Sequence, residues 1–379
     1  MRSHLHYSVV VLLTGLTAGC GGGGGGTVPQ ASTPNPYEGY DFTTGNTSTK
    51  ANAEDALLNS GSALLPYEAP YGAGSYSSVS AANLALNGSD LPIASRDTKA
   101  SQAWDNGWTG LGVKVGIADR FDSNGQINTH GDWVSLVVGS VAPESTLNLQ
   151  NAFGLDVATS LPQFFTAYEN FDTAGVRLVN ASWGIDKAER TSSGGYTGNL
   201  LSGFDEAVTA VIDEVKNGTV LDPHYADTLY VYAAGNGADY CDSKLVSDCN
   251  FFAVIFSSVY GEGLTTDYSV LFVGALEDGS DTIASYSYQA GDMKDHFIVA
   301  NDDVLSLGDA AGTSFAAPRV TGAAALLKHK FPNLEHNQIK QLLLLTADDL
   351  GAPGVDTLYG HGKLNILNAL SPQGAVVPQ

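Results

Sequence analysis

The sequence predicts an α/β fold: three αβα layers around a mainly parallel central sheet. Three observations lead there. Short runs that are apolar on both faces recur at Val113–Ala118, Val176–Ser182, Thr228–Ala234 and Ser269–Leu276, as strands do when helices cover both sides of their sheet. Between the second and third runs lies a helical stripe of Phe204, Val208, Val211, Ile212 and Val215, with Ser202 suited to cap its start and Gly218 its end. Strand, helix and strand at this spacing make a βαβ crossover. The 379 residues, 43% of them hydrophobic, suffice for a core without a metal or disulfide framework.

Ahead of the alternating part the texture differs. Arg2 and two histidines precede an apolar stretch, Val9 to Leu16, that is too short to span a bilayer and fits a secretory leader over residues 1–20. Its end, Leu16-Thr17-Ala18-Gly19-Cys20, resembles a bacterial lipoprotein box, which implies a lipid on Cys20; cleavage nearby as an ordinary leader is the alternative. Six glycines at 21–26 then read as a tether, and Gly21 resembles lipoproteins sent on to the outer membrane or cell surface. Residues 21–92 are rich in small and polar residues without sustained period. They read as tether and extended segment, with one helical patch at Ala53–Leu65 and a pro-segment as the other reading. The folded domain is expected at 93–372 and a tail at 373–379.

A net charge of −23 with only 17 Lys+Arg excludes nucleic acid and argues against an anionic lipid surface as partner. Such acidity serves solubility or surface cation sites, calcium being the cation that carboxylates favour, though no position for it can be read. Cys241 and Cys249 are expected to form a structural disulfide in an exported chain. His296, His329, His336 and His361 lack zinc-ligand spacing, so no metal site is expected. Gly110-Leu111-Gly112 precedes a strand rather than following one, which rules out a dinucleotide fingerprint.

Ligands of such sheets bind beyond the carboxyl ends of the strands, and chemistry-bearing residues gather there. Asp119 follows the first strand directly. His130 stands at the entrance of a helix with Trp133, Val134, Val137, Val138 and Val141 on its apolar side. Asn236 lies on a glycine-flanked turn, VYAAGNGA, after the third strand, where a side-chain amide can stabilise an oxyanion. Ser314, in AAGTSFAAPRVTGAAALL, opens a long apolar helix whose N-terminal N–H groups and dipole favour a nucleophile there. Pro318 is expected within the first turn, where its missing N–H has no consequence.

The order Asp119, His130, Asn236, Ser314, with GTSFAAP and AAGN, resembles the subtilisin-like serine peptidases, the subtilases, from about Ala103 to Leu370. NASWG and the closing TADDLGAPGVDTLYGHGKLNILNAL are also similar to that family. The resemblance implies that Asp119 orients the imidazole, His130 is general base and acid, and Ser314 attacks a peptide carbonyl. Asn236 with the Ser314 N–H would form the oxyanion hole. Substrate would lie along Ala181, Ser182, Trp183 and Gly184 and along Ala233, Ala234 and Gly235, with Gly237 at that segment's end. No cofactor is implied, the partners are protein or peptide substrates, and the membrane is reached only through Cys20. Some relatives are autotransporter passengers; no alternating strands follow Leu370 here, which favours the lipid as anchor. Oligomeric state is not legible.

Four departures stand out. Asp119 is followed by Arg120-Phe121 instead of a small residue and glycine, and Arg120 is positioned to form an ion pair that would turn the carboxylate. His130-Gly131-Asp132-Trp133 lacks the family's second histidine. Only 11 positions separate Asp119 from His130 (130 − 119). Ala300-Asn301-Asp302 replaces Ala-Pro-Gly before the nucleophile. Asp-Arg-Phe and the short Asp-to-His link motivate an alternative reading, an inactive subtilase-fold lipoprotein that binds or scaffolds.

Overall fold

Strand β2 (Lys114–Asp119) lies between β3 (Thr146–Asn151) and β4 (Leu178–Ala181), and the sheet grows outward from that trio. The computed structural model describes residues 35–58, 67–68, 94, 97–121, 129–152, 157–190, 196–216, 227–260, 269–303 and 311–372. The leader, Cys20 and the glycine run lie outside them. Residues 1–38 and 39–379 are two units; of the first, residues 35–38 are described, a turn in which Asn35 Oδ1 accepts the Tyr37 N–H at 3.0 Å. All that follows concerns the second.

The main sheet has seven strands in the order β1-β3-β2-β4-β7-β8-β9, every pair parallel. Its remaining members are β1 (Tyr67–Glu68), β7 (Leu229–Ala233), β8 (Val270–Leu276) and β9 (Phe297–Asn301). The four apolar runs are therefore strands, each within two residues of its expected limits. They are buried on both faces because helices cover both: β7 and β8 are buried at every position. A separate antiparallel ribbon joins β5 (Ala188–Arg190) to β6 (Tyr196–Leu200).

Before β2 stand α1 (Lys50–Leu58) and α2 (Ala100–Asp105). The first is the helical patch expected at Ala53–Leu65, starting three residues earlier; residues 59–66 lie outside those described. One face of the sheet carries α3 (His130–Val141) and α8 (Thr313–Lys330), which pack on each other. Gly322 permits that approach, since a Cβ there would stand 2.6 Å from the Val141 Cβ. The other face carries α4 (Val157–Thr173), α5 (Phe204–Lys216) and α7 (Phe251–Tyr260), the last preceded by the single turn α6 (Val246–Cys249). Phe164, Tyr168 and Phe171 from α4 meet Phe204 and Val208 from α5, Phe252 from α7, and Tyr230 and Tyr232 from β7 in one core. Tyr232 stacks between Phe252 and Phe272 at centroid distances of 5.1 and 5.4 Å. The α5 stripe is buried as its period predicts at Phe204, Val208 and Val211, while Gly218 lies outside the described residues. After the Ser314 helix come α9 (His336–Leu345) and α10 (Ile366–Leu370).

The chain lays β3 on one side of β2 and the later strands of this sheet, β4, β7, β8 and β9, on the other. That reversal places the crevice at the carboxyl end of β2, where Asp119 stands.

Candidate active site

Asp119 ends β2 with no exposed surface, and its Oδ1 lies 2.8 Å from His130 Nδ1. The same oxygen accepts the Arg120 backbone N–H at 2.7 Å. The ion pair expected from Arg120 therefore does not form with Asp119: the residue's N–H contacts the carboxylate while its side chain is exposed. Strand geometry explains this, because successive side chains point to opposite sides and Arg120 follows an inward Asp119. Phe121 fills the space over Gly131, where a Cβ would stand 2.5 Å from its ring, and Gly131 N–H donates to Arg120 O at 3.1 Å. Arg120 and Phe121 thus seat the start of the histidine helix.

Thr129 precedes that helix and Asp132 is its third residue. The Asp132 carboxylate accepts both the Thr129 N–H at 2.8 Å and the Thr129 hydroxyl at 2.6 Å. The aspartate standing where the family keeps a second histidine is thus a buried helix cap. With Nδ1 committed to Asp119, Nε2 is the nitrogen that His130 offers, and its side chain is 34% exposed.

Ser314 is the second residue of α8, half-buried, and the next residue, Phe315, lies with its ring 5.8 Å from the His130 ring. The helix begins at Thr313, so Pro318 is its sixth residue and not in the first turn. Its missing N–H is the one that would reach the Ser314 carbonyl.

The turn before Ser314 is tied from two sides. Asn236 Oδ1 accepts the Thr313 N–H and hydroxyl, each at 2.9 Å, and the Thr313 Oγ1 accepts the Gly235 N–H at 3.1 Å. The amide oxygen is thereby occupied, which leaves Asn236 Nδ2 to donate. On the other side Asp302, 3% exposed, accepts the Gly312 N–H and the Tyr286 hydroxyl on its Oδ2. Burial, with Asp302 next to it, pushes the Tyr286 hydroxyl far above its ordinary pKa and keeps it a donor.

The expected substrate walls lie on neighbouring strands. Asn180 in β4, fully buried, donates to Ser182 Oγ at 2.8 Å and accepts from Thr321 Oγ1 of α8 at 2.9 Å, which fixes the Ala181–Gly184 segment to the nucleophile helix. Trp183 turns inward, edge-on to Phe164 with centroids 5.2 Å apart. Ala233 and Ala234 are buried, and Gly235 O accepts the Tyr288 N–H at 3.2 Å. Cys241 and Cys249 are joined as a disulfide in the loop after this segment.

Several residues here escape sequence reasoning. Arg319 is fully buried in α8, bonds Asp97 Oδ2 through Nε and Nη2 at 2.8 Å each, and donates to the Phe315 and Asp303 carbonyls. A lone arginine inside AAPRVTGAA is the available signal. Asn250, whose amide donates to the Ala233 and Ala234 carbonyls, carries no such mark, and the departure at Ala300-Asn301-Asp302 does not show the partners that Asp302 takes. Among the described residues no group of three or more His, Cys, Asp or Glu side chains could hold a metal ion.

The Subtilase family model matches residues 112–362, which span Asp119, His130, Asn236 and Ser314. An extracellular serine protease of Serratia marcescens is 26% identical over 349 residues, covering 72% of this chain and 33% of that protein. Subtilisin DY of Bacillus licheniformis is 29% identical over 290 residues, 71% of this chain and 94% of its own. A stretch of 61 residues, 16% of this chain and 6% of that protein, is 49% identical to the Neisserial autotransporter lipoprotein NalP of Neisseria meningitidis. The chain thus spans a third or less of the Serratia and Neisseria relatives. In fold it is similar to the serine protease MycP1 of a type VII secretion system, with a TM-score of 0.50 at 18% identity over 74% of this chain and 89% of that one. Sheet order, strand-end residues and the matched span agree, and the chain belongs to the subtilase family.

Proposed function

We propose that this protein is a serine endopeptidase that cleaves peptide bonds through an acyl-enzyme on Ser314. The observation that carries the reading is the 2.8 Å contact between buried Asp119 and His130 Nδ1, with the start of the Ser314 helix packed on the same imidazole. In this reading His130 Nε2 takes the proton of Ser314 Oγ as that oxygen attacks the substrate carbonyl carbon. The oxyanion so formed is met by Asn236 Nδ2 and the Ser314 N–H. His130 then passes the proton to the departing amine, and a water molecule, activated the same way, releases the acyl group. Asp119 holds the tautomer and offsets the imidazolium charge. No step calls for a cofactor or a metal ion.

The idle-scaffold alternative rests on Asp119-Arg120-Phe121 and the short Asp119-to-His130 link; the 2.8 Å contact of Asp119 with His130 Nδ1 supports the peptidase reading against it. A fluorophosphonate probe tests the choice: folded protein is expected to be labelled at Ser314, and Ser314→Ala is expected to lower kcat by about a million-fold. Unlabelled, folded wild type would reject the peptidase reading.

We further place the enzyme at the cell envelope, lipid-anchored through Cys20, with residues 21–92 as tether and extended segment and 93–372 as peptidase domain. The lipoprotein box and the glycine run support this, as does the local likeness to an autotransporter lipoprotein. Mass spectrometry of the mature N-terminus is expected to find acylated Cys20; an unmodified N-terminus elsewhere would overturn the anchor.

A further inference from the structure

A cavity of about 720 Å³ lies at the amino ends of β2 and β4, away from the crevice at their carboxyl ends. Lys114, Arg177, Lys328, His329 and His336 line it, with residues 44–46 along one side. Lys114 opens β2 and Asp119 ends it, so at about 3.3 Å per residue the two stand about 17 Å apart. Lys328 and His329 come from the last turn of α8, and His336 opens α9. Among the described lining residues there is no Asp or Glu, while three of the chain's 17 Lys+Arg are there, in a protein of net charge −23. Two of the walls are already bonded. His329 Nδ1 accepts the Thr109 and Gly110 N–H groups at 3.1 and 3.3 Å, so Nε2 is its donor, to Asn46 O at 2.7 Å. Arg177 is matched by Asp172 and Asp227 at 3.0 and 2.9 Å. Lys328 differs: its Nζ donates to the Pro332 and Leu334 carbonyls at 2.9 and 2.6 Å, which carry no full charge, and Glu335 faces it from farther off. Lys114 Nζ donates to Ala174 O at 3.2 Å. Among the charges acting on the His336 ring Lys328 outweighs Asp227, so the potential in the cavity is positive.

We propose that this cavity binds a phosphate group carried by a small soluble molecule, with Lys328 and Lys114 as its charge partners and the His336 ring beside it. The inference stands apart from the peptidase reading. The volume suits a small molecule, such sites holding about 300–1,000 Å³. Two ammonium groups on flexible stems hold a phosphate as point charges, without the fixed fork that Arg177 has already committed. A membrane surface or a nucleic acid would meet the field of the whole acidic chain, whereas a small anion entering the cavity meets the local one. Gly45 N–H donates to Lys330 O at 2.8 Å, which lays residues 44–46 against the end of α8. A bound anion would therefore join that segment, α8 and the start of α9 from inside the cavity.

The test is calorimetric titration of the purified protein with inorganic phosphate at pH 7, against chloride at matched ionic strength. Saturable binding is expected, with a Kd of about 1 mM or tighter. Acetate, with a single charge, is expected to bind at least about tenfold more weakly. Lys328→Gln and Lys114→Gln are each expected to weaken phosphate binding by about tenfold, while Lys328→Arg keeps it within about threefold. Lys328 also bonds the turn between α8 and α9, so circular dichroism checks each variant, and Lys114→Gln carries the test if Lys328→Gln does not fold. Lys244→Gln, in an exposed pair with Asp239, is the control and is expected to bind as wild type does. Ser314→Ala is expected to bind phosphate unchanged. Absence of saturable binding, unchanged affinity in the folded Lys variants, or acetate bound as tightly as phosphate overturns the proposal. Loss of binding in Ser314→Ala overturns it too, because the anion would then sit in the crevice.

Discussion

Arg319 lies five residues beyond Ser314 in one helix and clasps Asp97, a partner 222 positions earlier in the chain. Arg319 has no exposed surface, and Asp97 little. Burial holds the Asp97 carboxyl above the usual carboxylate range against the pull of Arg319. Removing one member of such a pair strands the other. Arg319→Ala is expected to destabilise the fold by about 3–5 kcal/mol in denaturant unfolding. A loss within 1 kcal/mol would mean the pair does not hold the helix.

Asp302 holds the Gly312 N–H two residues before Ser314, the proposed nucleophile. Asp302→Ala frees that N–H and Tyr286 together, letting the turn shift. A displacement of this order costs up to about a hundredfold in rate, so kcat is expected to fall by about ten- to a hundredfold with KM near its wild-type value. Tyr286→Phe keeps the Gly312 bond and is expected to lose only a few-fold. A rise in KM at unchanged kcat would remove Asp302 from the nucleophile turn.

Asn236→Ala removes both the proposed oxyanion donor and an acceptor that fixes Thr313. A fall in kcat of about a hundred- to a thousandfold is expected from steady-state kinetics. An effect below tenfold would assign the oxyanion elsewhere.

His296 has its pKa lowered to about 4, chiefly by burial and then by Lys340, whose Nζ lies 3.3 Å from its Nδ1. Its folded pKa is below the unfolded value, so the native state keeps it neutral while the unfolded chain takes up a proton. Stability is therefore retained above about pH 6.5 and falls as pH drops from there toward 4. The loss at the acid end amounts to about 3 kcal/mol for this group. Denaturant unfolding at several pH values is expected to show a slope to which His336, also lowered to about 4 by burial, adds, and His296→Gln is expected to reduce that slope by about half. Equal slopes would show that other groups govern acid sensitivity.

The Cys241–Cys249 bridge closes a short loop, eight positions apart in sequence. Removing both cysteines is expected to lower stability by about 2–3 kcal/mol, read as the shift between oxidised wild type and the double serine variant. No shift would mean that Asn250 and its backbone partners hold the loop unaided.

The parts of this protein that follow from short-range rules can be read from its sequence. A strand buried on both faces must be apolar throughout, so β7 and β8 announce themselves. Asp119, His130, Asn236 and Ser314 are marked because each follows such a run or opens a helix within a dense local motif. What escapes is set by partners distant in sequence. Nothing near Asp302 says that its carboxylate will reach across to Gly312, and nothing near Asn250 points to the carbonyls of Ala233 and Ala234. Arg120 shows the opposite failure: adjacency suggested an ion pair, but the alternation of a strand carries its side chain away from Asp119. Pro318 stands beyond the first turn because the helix already starts at Thr313, and the bond its ring removes is the one to the Ser314 carbonyl.

The clasp between Asp97 and Arg319 also orders events in time. Asp119 and His130 come from the first half of the peptidase segment, while Ser314 and its helix are made near the end and must insert against β4, β7, β8 and β9. A sheet built wholly from parallel pairings assembles slowly, because segments separated by a crossover must meet before their contact stabilises them. A growing chain therefore presents Asp119 and His130 long before the helix of Ser314 can pack beside them.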